Sequence, residues 1–240
     1  MSQERVPLPH VPDDVQDIGL DLETPEIAIR RTRVMGLHDA AMAARLPFAH
    51  QAPDSPDGAP PALTIAPYDD PYEVLEHLAD SAPASGHDKA LAAITVTCMV
   101  TAPRYWWHEL ATYHFVTACS STSTMHTLRA ELRRIAKAPE GERLELARRM
   151  FTPHTPRPAV ETLLRVAMSV PPPELHELKA ALPEGLWMTQ HLSTNYRQLR
   201  TIRRQRRAHP LPEWRVLCRW IDGLPMADRL LRGSGKEPAD

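Results

Sequence analysis

Cysteine, lysine and long apolar runs are all scarce in this chain. Cys98, Cys119 and Cys218 are the only cysteines in 240 residues, too few and too scattered for a disulfide framework. No apolar run reaches the roughly 18 residues of a membrane span, so no membrane association is expected. The N-terminal residues lack the basic-then-apolar order of a secretory leader, and a cytoplasmic location is the expectation. Neither Cys-x-x-Cys nor His-Glu-x-x-His spacing occurs, so no metal site is expected. No glycine-rich phosphate loop is present, and a dinucleotide, if bound, is not held in the Rossmann manner. Cys119 lacks a neighbouring base that would activate it as a nucleophile. A net charge of −2 gives no global field toward nucleic acid.

What is present is arginine, unevenly placed. Only Lys89, Lys137, Lys179 and Lys236 are lysines, so 24 of the 28 basic residues are arginine. Six arginines and no acid lie between Arg197 and Arg207. Two segments concentrate aromatic, hydroxyl, imidazole and guanidinium groups. One runs from Thr101 through Tyr105, Trp106, Trp107 and Tyr113 to His126, the other from Asn195 to Trp214. That mixture suits a flat, anionic ligand such as a nucleotide.

The chain is long enough to bury a sizeable core. Residues 1–25 are acidic, proline-containing and aperiodic, and read as an N-terminal arm. Residues 26–231 read as one domain with a proline-rich loop at about 49–62, and 232–240 as a loose tail. Strands are expected over Glu26–Met35 and Ile94–Val100, the second ended by Pro103. Helices are expected over 36–45, 71–79, 105–115, 127–136, 142–151, 159–168, 174–181, 194–207 and 212–224. Thr194 or Asn195 supplies the cap of the arginine helix, and Pro210 limits it. The fold class is α+β, a central, mostly antiparallel sheet flanked by long helices, with two to four strands.

On the arginine helix, a three-and-four spacing puts Arg197, Arg200 and Arg204 on one stripe and Leu199, Ile202 and Arg206 on another. The first stripe reads as a solvated or salt-bridged basic face. Arg206 falls on the apolar side, where a charge needs an anionic or carbonyl partner. His209 can cap the helix end or contact a cofactor. The hydroxyls of Ser121, Thr122, Ser123 and Thr124 before the next helix can cap it or bind phosphate. The aromatic run can be core or the wall of a flat ring site.

At these residues the chain resembles the flavin-dependent thymidylate synthases of the ThyX type. Three blocks carry the resemblance: Gly86-His87; Val100-Thr-Ala-Pro103 with the aromatic run after it; and Leu178-Lys-Ala-Ala-Leu-Pro183 together with Asn195, Arg197, Arg206, His209 and Glu213-Trp214. The family's Arg-His-Arg signature is replaced by Thr112, Tyr113 and His114. This departure resembles the uridylate C5-methylases of nucleoside-antibiotic pathways, of the polyoxin kind. The resemblance implies FAD, NADPH as reductant, methylenetetrahydrofolate as one-carbon donor, methylation at C5 of UMP or dUMP, and a homotetramer with shared sites. It implies flavin contacts for His87, Lys89, Thr112, Tyr113, His114, Asn195, Arg197, Thr201 and His209. It implies substrate contacts for Glu109, Lys179 and Arg206, with Arg206 as the catalytic cation at the pyrimidine and Ser121 to Thr124 near the phosphate. Glu109, where the family has glutamine, could accept from ribose hydroxyls. Two other classes stay open: a non-catalytic nucleotide- or flavin-binding relative, and an arginine-helix nucleic-acid-binding protein.

Overall fold

The computed structural model describes residues 16–51, 63–64, 70–81 and 86–232. In chain order it holds β1 (Gln16–Asp17), β2 (Leu22–Glu23), β3 (Ala28–Met35), α1 (Leu37–Arg45), β4 (His50–Gln51) and β5 (Leu63–Thr64). Helix α2 (Glu73–Ala79), a 3-10 segment (His87–Ala93), β6 (Thr95–Pro103), α3 (Arg104–Leu110) and β7 (Thr117–Ser121) follow. The C-terminal half adds α4 (Thr124–Ala136), α5 (Glu140–Arg148), α6 (Arg157–Ala167) and α7 (Leu175–Ala180). It closes with β8 (Trp187–Asn195), α8 (Tyr196–Arg206), α9 (Pro212–Asp222) and α10 (Ala227–Leu230). The fold is α+β, with an antiparallel sheet ordered β1-β3-β6-β8-β7 and β2 also on β3.

Strand β6 is the centre because its sequence alternates. Val96, Cys98, Val100 and Ala102 are buried on one face, while the threonines and Met99 between them are half-buried. Residue by residue it pairs with β8, from Thr95↔Asn195 to Pro103↔Trp187. On its other side β3 carries a register shift between Arg30 and Arg33, with Arg31 at φ 55°. The inserted residue lets Ile29 and Val34 both reach the core although five positions separate them.

Two apolar clusters flank this sheet. The larger joins β3 and β6 to α1, α2, the 3-10 segment, α8, α9 and α10 around Trp106, Trp214 and Trp220. The smaller is made by α4, α5, α6 and α7 with Phe151 and Leu186. Met188 of β8 packs against both. Edge strand β7 has every side chain exposed.

Several expected boundaries move. The helix expected over 105–115 stops at Leu110, and the next residues turn into β7. The helix expected from Thr127 begins at Thr124, so the hydroxyl run is shared between a strand and a helix start. Strands β7 and β8 were not expected, because neither has a clean apolar alternation. Strand β8 buries only Leu192 and Thr194 of its nine residues. Residues 1–15, most of the proline-rich loop and residues 233–240 lie outside the described residues, so the expectations for them do too. Among the described residues no helix is long and apolar enough to cross a membrane.

Gly36 and Gly86 both take left-handed backbone, at φ +84° and +82°. A Cβ on Gly36 would lie 2.5 Å from the Ala93 carbonyl oxygen, whereas one on Gly86 meets nothing within 4 Å. Gly86→Ala is therefore expected to cost about 1–2 kcal/mol from backbone strain alone. Gly36→Ala should cost clearly more, since β3, α1 and the 3-10 segment must separate. Urea melts of the two variants check the order; equal losses would refute it.

Candidate functional site

Helix α8 organises the site. Asn195 ends β8 and caps α8: its Oδ1 accepts from the Gln198 amide at 3.0 Å, and Gln198 Oε1 accepts from the Asn195 amide at 3.2 Å. The helix is wedged between the 3-10 segment and α9, so it buries a wide arc. Tyr196, Leu199 and Ile202 go into the core, and Arg200 and Arg203 go with them. This corrects the expected solvated stripe at Arg200. Packing on two sides leaves too little of the circumference for a basic face. Arg203 pairs with Asp222 at 2.5 Å.

Three groupings of candidate residues result. The first is a cavity of about 500 Å³ over the start of α8, lined by Asp88, Phe115, Asn195, Arg197, Arg200, Thr201 and Arg204 among others. Arg197 Nη2 lies 3.2 Å from Asp88 Oδ1, and Thr201 Oγ1 donates to the Arg197 carbonyl at 3.2 Å. Arg200 Nη1 is buried and has no hydrogen-bond partner among the described residues. Its burial, followed by repulsion from Arg204, holds the guanidinium below its usual pKa against the pull of Asp88. His87 and Lys89 sit exposed on the 3-10 segment to either side of buried Asp88.

The second grouping surrounds Arg206. Its guanidinium carbon lies 4.7 Å from the centre of the Trp214 ring and 5.4 Å from that of Tyr113. Arg206 Nε donates to the Tyr113 hydroxyl at 2.9 Å, and that hydroxyl donates to Gln205 Oε1 at 2.8 Å. Gln205 also lines the first cavity, so the two groupings touch. Glu109 Oε2 accepts from Trp214 Nε1 at 2.7 Å and lies 3.8 Å from His209 Nε2. Tyr105 donates to the carboxylate of Glu213, which is almost wholly buried. Burial and that carboxylate raise the Tyr105 pKa well above the ordinary phenol value. Of the three residues at the signature positions, Tyr113 is packed inward while Thr112 and His114 are exposed.

The third grouping is a cavity of about 650 Å³ beside β7 and β8, lined by Arg104, Trp107, His108, Thr124, Lys179 and Gln190 among others. Lys179 Nζ lies 3.5 Å from Met125 Sδ. Thr124 also borders an adjoining cavity of about 560 Å³ with Thr122 and Ser123. The Thr122 hydroxyl is occupied, accepting from the Thr189 amide at 3.2 Å. Ser121 is exposed at the end of β7, and Ser123 caps α4 by position without a side-chain hydrogen bond. Lys179 and the hydroxyl run are thus neighbours, and Arg206 belongs to a different grouping.

Sequence reasoning missed Asp88, Arg200, Gln205, Arg104 and His108 as lining residues. Arg200 had a usable signal, its three-residue spacing from Arg197 on a helix. Asp88 stands between two chosen residues and was passed over. The others carry no pattern in one dimension.

No protein-family model matches this chain, and no curated protein does. Among solved structures, it is similar to the flavin-dependent thymidylate synthase ThyX from Helicobacter pylori complexed with FAD and dUMP. That likeness has a TM-score of 0.63 at 21% identity, covering 86% of this chain and 98% of the other. A second structure of the same Helicobacter pylori protein with FAD and dUMP gives a TM-score of 0.61 at 22% identity, covering 86% and 97%. The fold is therefore ThyX-like.

The three thiols differ sharply in setting. Burial pushes the Cys98 thiol up to about 12 and the Cys218 thiol up to about 11, whereas Cys119 is exposed on β7. At about pH 8, where thiolate is the reacting form, a maleimide is expected to label Cys119 alone in the native chain. Mass spectrometry after denaturation should then show all three sites reacting. Native labelling of Cys98 or Cys218 would contradict the packing.

Proposed function

We propose that this chain is an FAD-dependent uridylate C5-methyltransferase. It takes UMP or dUMP as substrate, methylenetetrahydrofolate as one-carbon donor and NADPH as reductant. The observation that carries the reading is Arg206. Its guanidinium is clamped against Trp214 and Tyr113 with Nε on the tyrosine hydroxyl, beside the cavity at the head of α8. A fixed cation next to aromatic walls stabilises negative charge as it spreads into a bound pyrimidine.

The residues present fit a flavin. The cavity offers an aromatic edge at Phe115 and three arginines. Asn195, Arg197 and Thr201 would hold the cofactor, with His87, Lys89, Thr112, Tyr113, His114 and His209 around them. When bound, FAD supplies the redox chemistry that completes the methyl group. Tyr113 fixes the direction of Arg206 through its hydroxyl. Glu109 and His209 orient the edge of the same aromatic wall through Trp214. Lys179, with Thr124 and Ser123 nearby, would take the nucleotide phosphate, and Ser121 and Thr122 flank them. No enzyme nucleophile is required, in keeping with the exposed setting of Cys119.

Arg206 and Lys179 line separate groupings within one chain. A homotetramer in which one subunit presents Lys179 to another's Arg206 would reunite them, which supports shared sites. The departures at Thr112, Tyr113 and His114 favour a specialised branch, such as nucleoside-antibiotic biosynthesis, over general thymidylate supply. One observation favours a second reading, a non-catalytic nucleotide- or flavin-binding relative: the 112–114 turn brings no arginine to the cavity. The nucleic-acid reading loses its footing, because Arg200 and Arg203 are buried and Arg206 is clamped on rings.

Purified protein is expected to bind FAD with the flavin absorption bands and to methylate UMP or dUMP. Arg206→Gln should lower kcat/KM roughly 100- to 1,000-fold while FAD still binds. A protein that binds no FAD refutes the proposal; one that binds FAD without turnover selects the non-catalytic reading. Glu109→Gln is expected to shift preference from UMP toward dUMP, and an unchanged ratio removes Glu109 from sugar selection.

A further inference from the structure

Gln205 and Arg206 are adjacent on α8, so their side chains leave the helix about 100° apart. The Tyr113 hydroxyl bridges them, 2.9 Å from Arg206 Nε and 2.8 Å from Gln205 Oε1. A guanidinium has donors and no acceptor, so the hydroxyl must accept from Arg206. Its single proton is then committed to Gln205, which must present its carbonyl oxygen to the tyrosine. The Gln205 amide nitrogen is thereby turned away from Tyr113, on a residue that is exposed and lines the cavity over the start of α8. The three groups make a directional chain, Arg206 to Tyr113 to Gln205, in which each hydrogen bond strengthens the next.

A second contact runs the same way. Phe115 lines that cavity, is 41% exposed, and meets Tyr113 edge-on with ring centres 5.6 Å apart. Tyr113 itself is buried, so these two neighbours connect it to the cavity. On the other side, ring contacts with Trp214 and Tyr113 hold the Arg206 guanidinium close but leave it free to turn. The bond from Nε to the hydroxyl is what gives it a direction.

We propose that Gln205 is a positioning residue: through Tyr113 it sets the direction of Arg206, and it does so in response to what fills the α8 cavity. An occupant carrying a hydrogen-bond acceptor, such as a ring carbonyl, engages the Gln205 amide nitrogen. That contact keeps the Gln205 oxygen on Tyr113 and tightens Tyr113 on Arg206. The identity of the occupant rests on the flavin reading, whereas the relay itself does not.

The test uses the full chain and variants that cut the chain at different points. Tyr113→Phe removes the hydroxyl and keeps the ring. Gln205→Leu removes both ends of the amide, and Gln205→Glu keeps an acceptor for Tyr113 while losing the N–H donors. The first readout needs no turnover: phenylglyoxal labelling of arginines, resolved peptide by peptide by mass spectrometry, with exposed Arg219 as the internal standard. Arg206 is expected to react roughly three to ten times faster in Tyr113→Phe and Gln205→Leu than in wild type, and near the wild-type rate in Gln205→Glu. The double variant of Tyr113→Phe and Gln205→Leu should react no faster than either single one, because both cut the same chain. Saturating FAD should slow Arg206 labelling in wild type and leave it fast in Gln205→Leu. In turnover, Gln205→Leu should lower kcat about 3- to 30-fold with KM for the uridylate little changed, and Gln205→Glu should recover most of it. Should Gln205→Leu fail to fold, Gln205→Ala, which also removes the amide, decides.

Arg206 labelled alike in wild type and Gln205→Leu, or single effects that multiply in the double variant, overturns the relay. Equal slowing by FAD in wild type and Gln205→Leu overturns the response to the occupant. An unchanged kcat in Gln205→Leu ends the positioning role and leaves the flavin reading standing. Labelling that follows the relay in a protein that binds no FAD keeps the relay and ends the flavin reading.

Discussion

The strand-to-helix junction at Asn195 is the constraint from which the site follows. Strand β8 is held to β6 by a continuous ladder that ends where Asn195 faces Thr95. The reciprocal bonds between Asn195 and Gln198 then start α8 at a defined residue and in a defined direction. Everything the helix carries is set in rotation by that start: Leu199 and Ile202 into the core, Arg203 onto Asp222, Arg206 onto Trp214 and Tyr113. A shift of one residue at the cap would turn each of these side chains by about 100°. Asn195 therefore reaches the cavity through backbone and position as much as through its own amide, which is committed to capping.

The aromatic cluster gives the second layer of order. Trp214 connects to Trp106, Tyr113 and His209 by ring contacts and to Glu109 by a hydrogen bond. These residues come from α3, the turn after it, the loop before α9 and α9 itself, and two of them, Tyr113 and Trp214, hold the cation at Arg206. Burial and hydrogen bonding work together here. The rings exclude water, and Trp214 Nε1 and the Tyr113 hydroxyl are tied to polar partners, while Trp106 Nε1 is buried without one among the described residues.

Much of this was legible in one dimension, and the rest fails for identifiable reasons. Strand β6 alternates, so its Val96–Val100 face could be read, and Pro103 marked its end correctly. The arginine helix and its asparagine cap were legible because capping is local. Strand β8 was not, since Trp187 to His191 are half-buried and carry mixed polarity. The arc buried by α8 depends on two packing partners far away in sequence, so Arg200 and Arg203 looked like surface. Arg206 and Lys179 could be chosen from the resemblance. Their division between two groupings is a matter of tertiary placement that no spacing reports.

Among the described residues, strand β7 is the unprotected rim of the sheet, its backbone paired on one side only. Such rims invite indiscriminate strand addition when they are long, flat and greasy. This one is short, broken by an irregularity between Ala118 and Ser120, and built of Thr, Ala, Cys and Ser. It can therefore stay bare in concentrated solution without seeding fibres. Replacing those small hydroxyl side chains with valine or isoleucine would trade solubility for stickiness.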